Sequence, residues 1–261
     1  MKYGFIGCGN MGGGIAKALS KSTTDIALTD RSGKARALAD ELGCNYTDIH
    51  TIASQCDRIF LAVKPQMMKD VLYPIQNYLS ERKPLIISMA AGLTIEKIES
   101  FCGTSLPVIR IMPNTPVCVG KGMIPYCCNH LVSQEYIEDV INDLQFAGKM
   151  DQLDEPHIDA ATALSGSGPA YMYLFIEALA AGAVACGLPE DKALEYATIT
   201  MAGAAEMVKK TSIDPVALRK AVCSPGGSTI EGIKTLENHD FCAVVKACVL
   251  AAYQKNIELG K

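Results

Sequence analysis

Tyr3-Gly4-Phe5-Ile6-Gly7-Cys8-Gly9-Asn10-Met11-Gly12 is the stretch that decides the fold. A short apolar run, Tyr3 to Gly7, reads as a buried strand, and Met11 to Leu19 reads as a helix. Between them stands a complete G-x-G-x-x-G, in the strand-to-helix setting that gives this motif its meaning. Each glycine has a separate task. Gly7 permits a tight turn, Gly9 lets the backbone approach a pyrophosphate, and Gly12 lets helix and strand pack closely. Free N–H groups where the helix begins, around Cys8, Asn10 and Met11, are donors for phosphate oxygens. The motif predicts a Rossmann-type domain that binds a dinucleotide.

The end of the second strand, Thr29-Asp30-Arg31-Ser32, bears on which dinucleotide. An acid there accepts hydrogen bonds from a ribose 2'-hydroxyl and repels a 2'-phosphate, whereas arginine and serine welcome the phosphate. Arg31 and Ser32, with Lys34 behind them, favour NADPH, and Asp30 keeps NADH open.

Outward from the motif, strand and helix signals alternate. Strands are expected at Ile26 to Thr29, Arg58 to Val63, Leu85 to Ser88 and Val108 to Met112; helices at Lys34 to Leu42, Met67 to Leu79 and Ile95 to Phe101. Such alternation implies a mainly parallel sheet covered on both faces. Beyond about Leu153 the pattern changes to Ala-rich stretches with helical spacing: Ala170 to Cys186, Asp191 to Lys210, Pro215 to Val222 and Phe241 to Leu259. The fold class is therefore α/β: a Rossmann-type domain over residues 1–155, followed by an all-helical domain over 156–261. The density of Ala and Gly in the second domain suits helices packed closely on one another, within one chain or across a two-fold dimer.

Composition narrows the function. With 261 residues, 49% hydrophobic, 20% charged and a net charge of −4, the chain lacks the basic balance of a nucleic-acid binder. No basic leader precedes the first strand, and apolar stretches such as Ala178 to Cys186 read as too short to span a bilayer. These signs predict a cytoplasmic protein with no membrane partner. The eleven cysteines form no Cys-x-x-Cys pair, and the four histidines (His50, His130, His157, His239) show no ligand spacing. Buried thiols and no metal site are the expectation.

Five further segments carry a family resemblance. Ala62-Val63-Lys64-Pro65, Ser88-Met89-Ala90-Ala91-Gly92, Arg110-Ile111-Met112-Pro113-Asn114-Thr115-Pro116, Ala163 to Tyr171, and Cys223-Ser224-Pro225-Gly226-Gly227-Ser228-Thr229-Ile230-Glu231 stand in order along the chain. Together they resemble the pyrroline-5-carboxylate reductases, over residues 1 to about 259. The resemblance implies reduction of a cyclic imine to L-proline with NAD(P)H, the last step of proline biosynthesis. It implies cofactor contacts at Ala62, Val63, Lys64 and Pro65 and at Ala90, Ala91 and Gly92. It implies a substrate turn in which Ser224, Gly227 and Ser228 hold the carboxylate and Thr229 is the catalytic residue, hydrogen-bonded to the ring nitrogen. It further implies a homodimer, or a larger assembly such as a decamer built from dimers. Read from the residues alone, Ser224 and Thr229 are better taken as ordinary helix caps, since caps are common. Ser228 stands where many relatives have Thr or Ala, and no adenine contact carries over near Ile49.

Other readings are weaker. A β-hydroxyacid or 6-phosphogluconate type dehydrogenase needs a lysine from the helical domain, and none lies between Lys149 and Lys192. A ketol-acid reductoisomerase needs an acidic metal cluster, which is not visible between Asp159 and Glu190. A non-catalytic NADPH sensor is separable by turnover.

Overall fold

The structure, a computed structural model, describes residues 1–260. Its first part alternates strand and helix: β1 (Tyr3–Ile6), α1 (Asn10–Leu19), β2 (Ile26–Thr29), α2 (Lys34–Leu42), β3 (Asn45–Tyr46), α3 (Ile49–Gln55), β4 (Arg58–Leu61), α4 (Met68–Leu72), α5 (Gln76–Arg82), β5 (Leu85–Ser88), α6 (Ile95–Cys102) and β6 (Val108–Ile111). Then come β7 (Gly122–Cys128), α7 (Gln134–Asp143), β8 (Gly148–Gln152) and α8 (Glu155–Ala161). Five further helices complete the chain: α9 (Gly168–Ala185), α10 (Glu190–Thr211), α11 (Pro215–Val222), α12 (Ser228–Asn238) and α13 (Phe241–Leu259).

The strands form one sheet in the order β3-β2-β1-β4-β5-β6-β7-β8. Pairs from β3 across to β6 are parallel, β7 runs antiparallel to β6, and β8 runs parallel to β7. Strand order reverses at β1, which has β2 on one side and β4 on the other. Open α/β sheets place their ligand crevice at such a reversal, outside the carboxyl ends of the strands.

Both faces of the sheet are packed, which is why its strands read as unbroken apolar runs. Phe5, Leu28, Phe60, Ile87 and Ile109 belong to one core cluster, and Ala27, Ile59, Leu61, Ile86 and Val108 to another. Adjacent residues of a strand point to opposite faces, so each run feeds both layers. Phe5 and Phe60 stack with ring centroids 4.3 Å apart.

By Cα packing the chain divides into two units. One is Met1–Ser167 with the chain from Ala251 on, the other Gly168–Leu250. In the second unit α9 packs along α10, the Tyr171 hydroxyl donates to the Cys248 carbonyl at 3.3 Å, and Phe175 lies against Phe241. Gly187, with φ +95°, ends the helix before α10, and the Asp214 carboxylate accepts from Val216 N at 2.6 Å to cap α11. Only Ala193 and Ala197 of this unit are buried among the described residues.

Three sequence expectations change. The helix expected from Met67 to Leu79 is broken into α4 and α5 by a 3-10 turn at Tyr73–Ile75, because Pro74 has no N–H to continue an α-helix. The expectation that no apolar stretch is long enough for a bilayer does not hold: the helical run Glu155–Ala185, which contains an 18-residue stretch of mean hydropathy 1.3, passes by length and composition. A wide π turn, Thr162–Gly166, continues α8. All eleven cysteines are free, but only Cys8, Cys56, Cys102 and Cys127 are buried; Cys118, Cys186, Cys242 and Cys248 are exposed.

Candidate functional site

A cleft of about 790 Å³ opens at the carboxyl ends of β1, β2 and β4, within the range of small-molecule and cofactor sites. Its floor is the glycine turn. Gly7 has φ +104°, and a Cβ there would stand 2.6 Å from the Ala62 carbonyl oxygen. A Cβ on Gly12 would stand 2.3 Å from the Gly7 carbonyl oxygen and 2.8 Å from the Ala62 Cβ. These two glycines are required by the protein's own packing. Gly9 is different: nothing lies within 4 Å of where its Cβ would be. It is the N-cap of α1 and has no side chain to cap the helix, so the first N–H groups of α1 have no side-chain partner from it. This is a cradle that fits a pyrophosphate, and a side chain at Gly9 would fill it.

The residues predicted to hold the cofactor fall into three sets. Gly7, Cys8, Gly9, Arg31, Ser32, Ala62, Val63 and Lys64 line the cleft. Asn10 lines a neighbouring groove together with Cys8, Gly9 and Lys34. Met11, Gly12, Pro65, Ala90, Ala91 and Gly92 do not line the cleft. Ala90 and Gly92 are buried, and Gly92 has φ +77° with Leu259 and Gly260 packed onto it. The Cys8 thiol is pushed up to about 12 by burial, with the nearby Asp30 carboxylate adding to the effect, so it stays protonated at neutral pH.

At the cleft end beyond β2, the Ser32 hydroxyl donates to Asp30 Oδ2 at 2.7 Å, while Asp30 Oδ1 is buried without a hydrogen-bond partner. Arg31 and Arg36 supply positive charge there. Arg36 lies over the Tyr46 ring, 4.7 Å from its centroid, a cation–π arrangement. The Asp48 carboxylate caps α3, accepting from His50 N at 2.8 Å and Thr51 N at 3.0 Å; hydrogen bonds from Thr51 and His50 hold its pKa below the usual value. Sequence reasoning missed Arg36, Tyr46 and Ile49. The first two sit in a polar helix face and a two-residue strand, which look like ordinary solvated surface.

The Arg110 to Pro116 loop is held by buried polar bonds. Arg110, 1% exposed, pairs with Asp159 at 2.6 Å and lies 3.6 Å from Glu155, whose carboxylate also accepts from Ile95 N at the start of α6. Asn114 donates to the Ser165 carbonyl and accepts from Met123 N, both at 2.9 Å. These bonds tie the loop after β6 to α8 and the π turn.

In the helical unit, the turn before α12 contains Gly226 at φ +71°. Gly227 is the N-cap of α12 and makes no side-chain cap bond. A Cβ on Gly227 would stand 2.5 Å from Ser224 Oγ. Ser224, Gly227, Ser228 and Thr229 thus gather at one helix start. Neither Ser224 nor Thr229 occupies the cap position, which removes the plain capping reading favoured by the residues alone.

A mainly parallel sheet, a glycine turn into its first helix and a cleft at the strand-order reversal define a Rossmann-type oxidoreductase. Residues 2–92 match the family model described as NADP oxidoreductase, coenzyme F420-dependent, and residues 155–259 match the one described as pyrroline-5-carboxylate reductase dimerisation. The chain is 39% identical to the pyrroline-5-carboxylate reductase of Escherichia coli, over 100% of this chain and 98% of that one. It is 38% identical to that of Aquifex aeolicus, over 98% and 96%. The solved pyrroline carboxylate reductase of Plasmodium falciparum, with NADP bound, superposes with a TM-score of 0.91 at 34% identity, covering 100% of this chain and 98% of that one. The chain belongs to the pyrroline-5-carboxylate reductase family. The dimerisation match covers the helices whose apolar side chains a single chain leaves exposed, the run Glu155–Ala185 included, so the chain self-associates.

Proposed function

We propose that this protein reduces 1-pyrroline-5-carboxylate to L-proline with NADPH, the last step of proline biosynthesis, as a cytoplasmic homodimer or an assembly built from such dimers. The observation that carries the reading is identity approaching two-fifths along the full length of curated reductases, in a chain whose Gly9 leaves a phosphate-sized cradle open. The division into residues 1–155 and 156–261 belongs to this reading, and a dimerisation match that begins at residue 155 supports it.

When bound, NADPH supplies the hydride for the imine carbon. The chain's own residues bind, orient and exclude water. Gly7, Cys8, Gly9, Asn10, Met11 and Gly12 form the phosphate turn, and Arg31 with Ser32 face the adenosine ribose. Ala62, Val63, Lys64 and Pro65, with Ala90, Ala91 and Gly92, shape the two loops after β4 and β5. Ser224, Gly227 and Ser228 hold the substrate carboxylate with a hydroxyl and backbone N–H groups at the start of α12, where the helix dipole favours an anion. Thr229 is the catalytic residue: its hydroxyl can donate or accept, so it follows the ring nitrogen from imine to amine without ionising. The imine arrives already protonated, so no side chain needs to act as a strong general acid. The closeness of Ser224 to Gly227 and the uncapped start of α12 support these roles.

The test is steady-state oxidation of NADPH with pyrroline-5-carboxylate. Saturable turnover yielding proline is expected. NADPH binding without turnover would make the protein a sensor instead.

A further inference from the structure

The order of the strands says which loops meet the reacting end of a bound coenzyme. The glycine turn follows β1 and Arg31 follows β2, so a dinucleotide laid across the cleft brings its second nucleotide to the side of β4, β5 and β6. Resting on the proposed cofactor role of this cleft, we infer that the end of α13, from Asn256 to Gly260, braces the loops after β5 and β6, with Asn256 as a positioning residue for hydride transfer.

β5 and β6 are parallel neighbours, so the loops 89–94 and 112–114 leave the same edge of the sheet side by side. Loops of this kind take their place from the scaffold packed behind them. Here that scaffold is α8 and the end of α13. Asn256 Nδ2 donates to the Asp159 carbonyl oxygen at 3.1 Å. The Asp159 carboxylate in turn holds the guanidinium of Arg110, the third of four residues in β6, at 2.6 Å. Glu155, one helical turn before Asp159, accepts from Ile95 N at 2.7 Å and pins the far end of the loop after β5. The middle of that loop is pinned by α13 itself. A Cβ on Gly92 would stand 2.8 Å from Gly260 N, and one on Gly260 would stand 2.3 Å from the Gly92 carbonyl oxygen. Backbone meets backbone there, with no room for a side chain on either residue.

Arg110 makes the brace sensitive. It is 1% exposed and its Nε has no hydrogen-bond partner, so its place rests on the two carboxylates of α8. A buried charge whose partner moves is left uncompensated, and it moves too. β6 carries that movement into residue 112. The anchors of coenzyme affinity, the glycine turn and Arg31, lie on the far side of β4 from both loops. Loosening the brace therefore misplaces the hydride donor against its acceptor without releasing the coenzyme. A misplacement of about 1 Å can cost on the order of a hundredfold in rate.

The full-length protein is pre-mixed with NADPH, and pyrroline-5-carboxylate is added rapidly. The single-turnover rate of NADPH oxidation is read beside the NADPH Kd and the sedimentation profile. Asn256→Leu keeps the size and removes the donor. Its rate should fall about tenfold, with Kd changed by under about threefold and the assembly unchanged. Asn256→Gln, which keeps a donor on a longer arm, should regain most of that rate. Gly260→Val breaks the same brace at its other contact and should also lower the rate about tenfold. It carries the test if Asn256→Leu does not fold. Wild-type rates in both variants overturn the inference. So does a fall in rate matched by an equal loss of NADPH affinity, or one that comes only with a broken assembly. A loss in Asn256→Leu that Asn256→Gln does not regain overturns the role of the donor. Failure of the wild type to bind NADPH, or to oxidise it with this substrate, would instead refute the underlying reading of the cleft.

Discussion

The sheet strand β5 and the helix α9 are both strongly apolar, and the chain treats them in opposite ways. Leu85, Ile86, Ile87 and Ser88 are all fully buried, whereas none of the eighteen residues of α9 is. Leu174 is 65% exposed and Ile199, on α10, 63%. The sheet unit buries its apolar surface by itself, and the helical unit does not. The difference teaches that one half of the molecule is specified by its own core, and the other half is specified by a surface meant for a second copy.

The largest effects should separate the two regions. Phe60→Ala, at a fully buried site, is expected to cost about 3–5 kcal/mol in a denaturant titration, independent of protein concentration. Ile199→Asp would change stability by under about 0.5 kcal/mol if Ile199 truly faced water. We expect a clear loss of both oligomer and thermal stability instead, because the new charge would be buried between chains. An unchanged sedimentation profile for Ile199→Asp would break the comparison.

The two glycines of the turn sharpen it within the sheet unit. Gly12→Val should fail to fold, as its Cβ would meet Gly7 O at 2.3 Å. Gly9→Val, with open space around it, should give native circular dichroism and greatly reduced NADPH binding. Normal NADPH affinity in Gly9→Val would mean that the cradle is not where the phosphates lie.

Thr229→Val tests the helical unit's own chemistry. It keeps the shape and removes the hydroxyl, so transition-state stabilisation should fall by about 1–3 kcal/mol, roughly 5- to 150-fold in kcat/KM. Coenzyme binding and melting temperature should be unchanged. Near-normal turnover with a lower melting temperature would return Thr229 to a structural role.

The smallest effect belongs to Asp48. Asp48→Ala removes the bonds to His50 N and Thr51 N and should cost about 1 kcal/mol. Because those bonds hold its pKa below the unfolded value, the contribution is present at neutral pH and fades as pH falls towards and through the lowered pKa. The difference between wild type and Asp48→Ala should therefore shrink in acid.

How much of the molecule is legible in the sequence follows the same division. The bounds of β2, β5, α2, α11 and α13 coincide with their sequence expectations, since each has either an apolar run or clear stops. Six elements are not legible: β3, α3, β7, α7, β8 and α8. β7 contains Pro125 and runs antiparallel, and the sequence of β8, Gly-Lys-Met-Asp-Gln, is an edge strand with no apolar alternation. In the cleft, the glycine turn is legible because its spacing is dictated by backbone geometry. Arg36 is not, because only the packing of α2 against β3 brings it beside Tyr46. Lys34, its neighbour by two positions, lines a different groove.

The most direct test of the account is activity followed together with mass by sedimentation across a wide range of protein concentration. We predict that the active species is a dimer or a multiple of it, and that turnover per chain falls as the assembly is diluted apart. A monomer that sediments as such and reduces pyrroline-5-carboxylate at the full rate would contradict it.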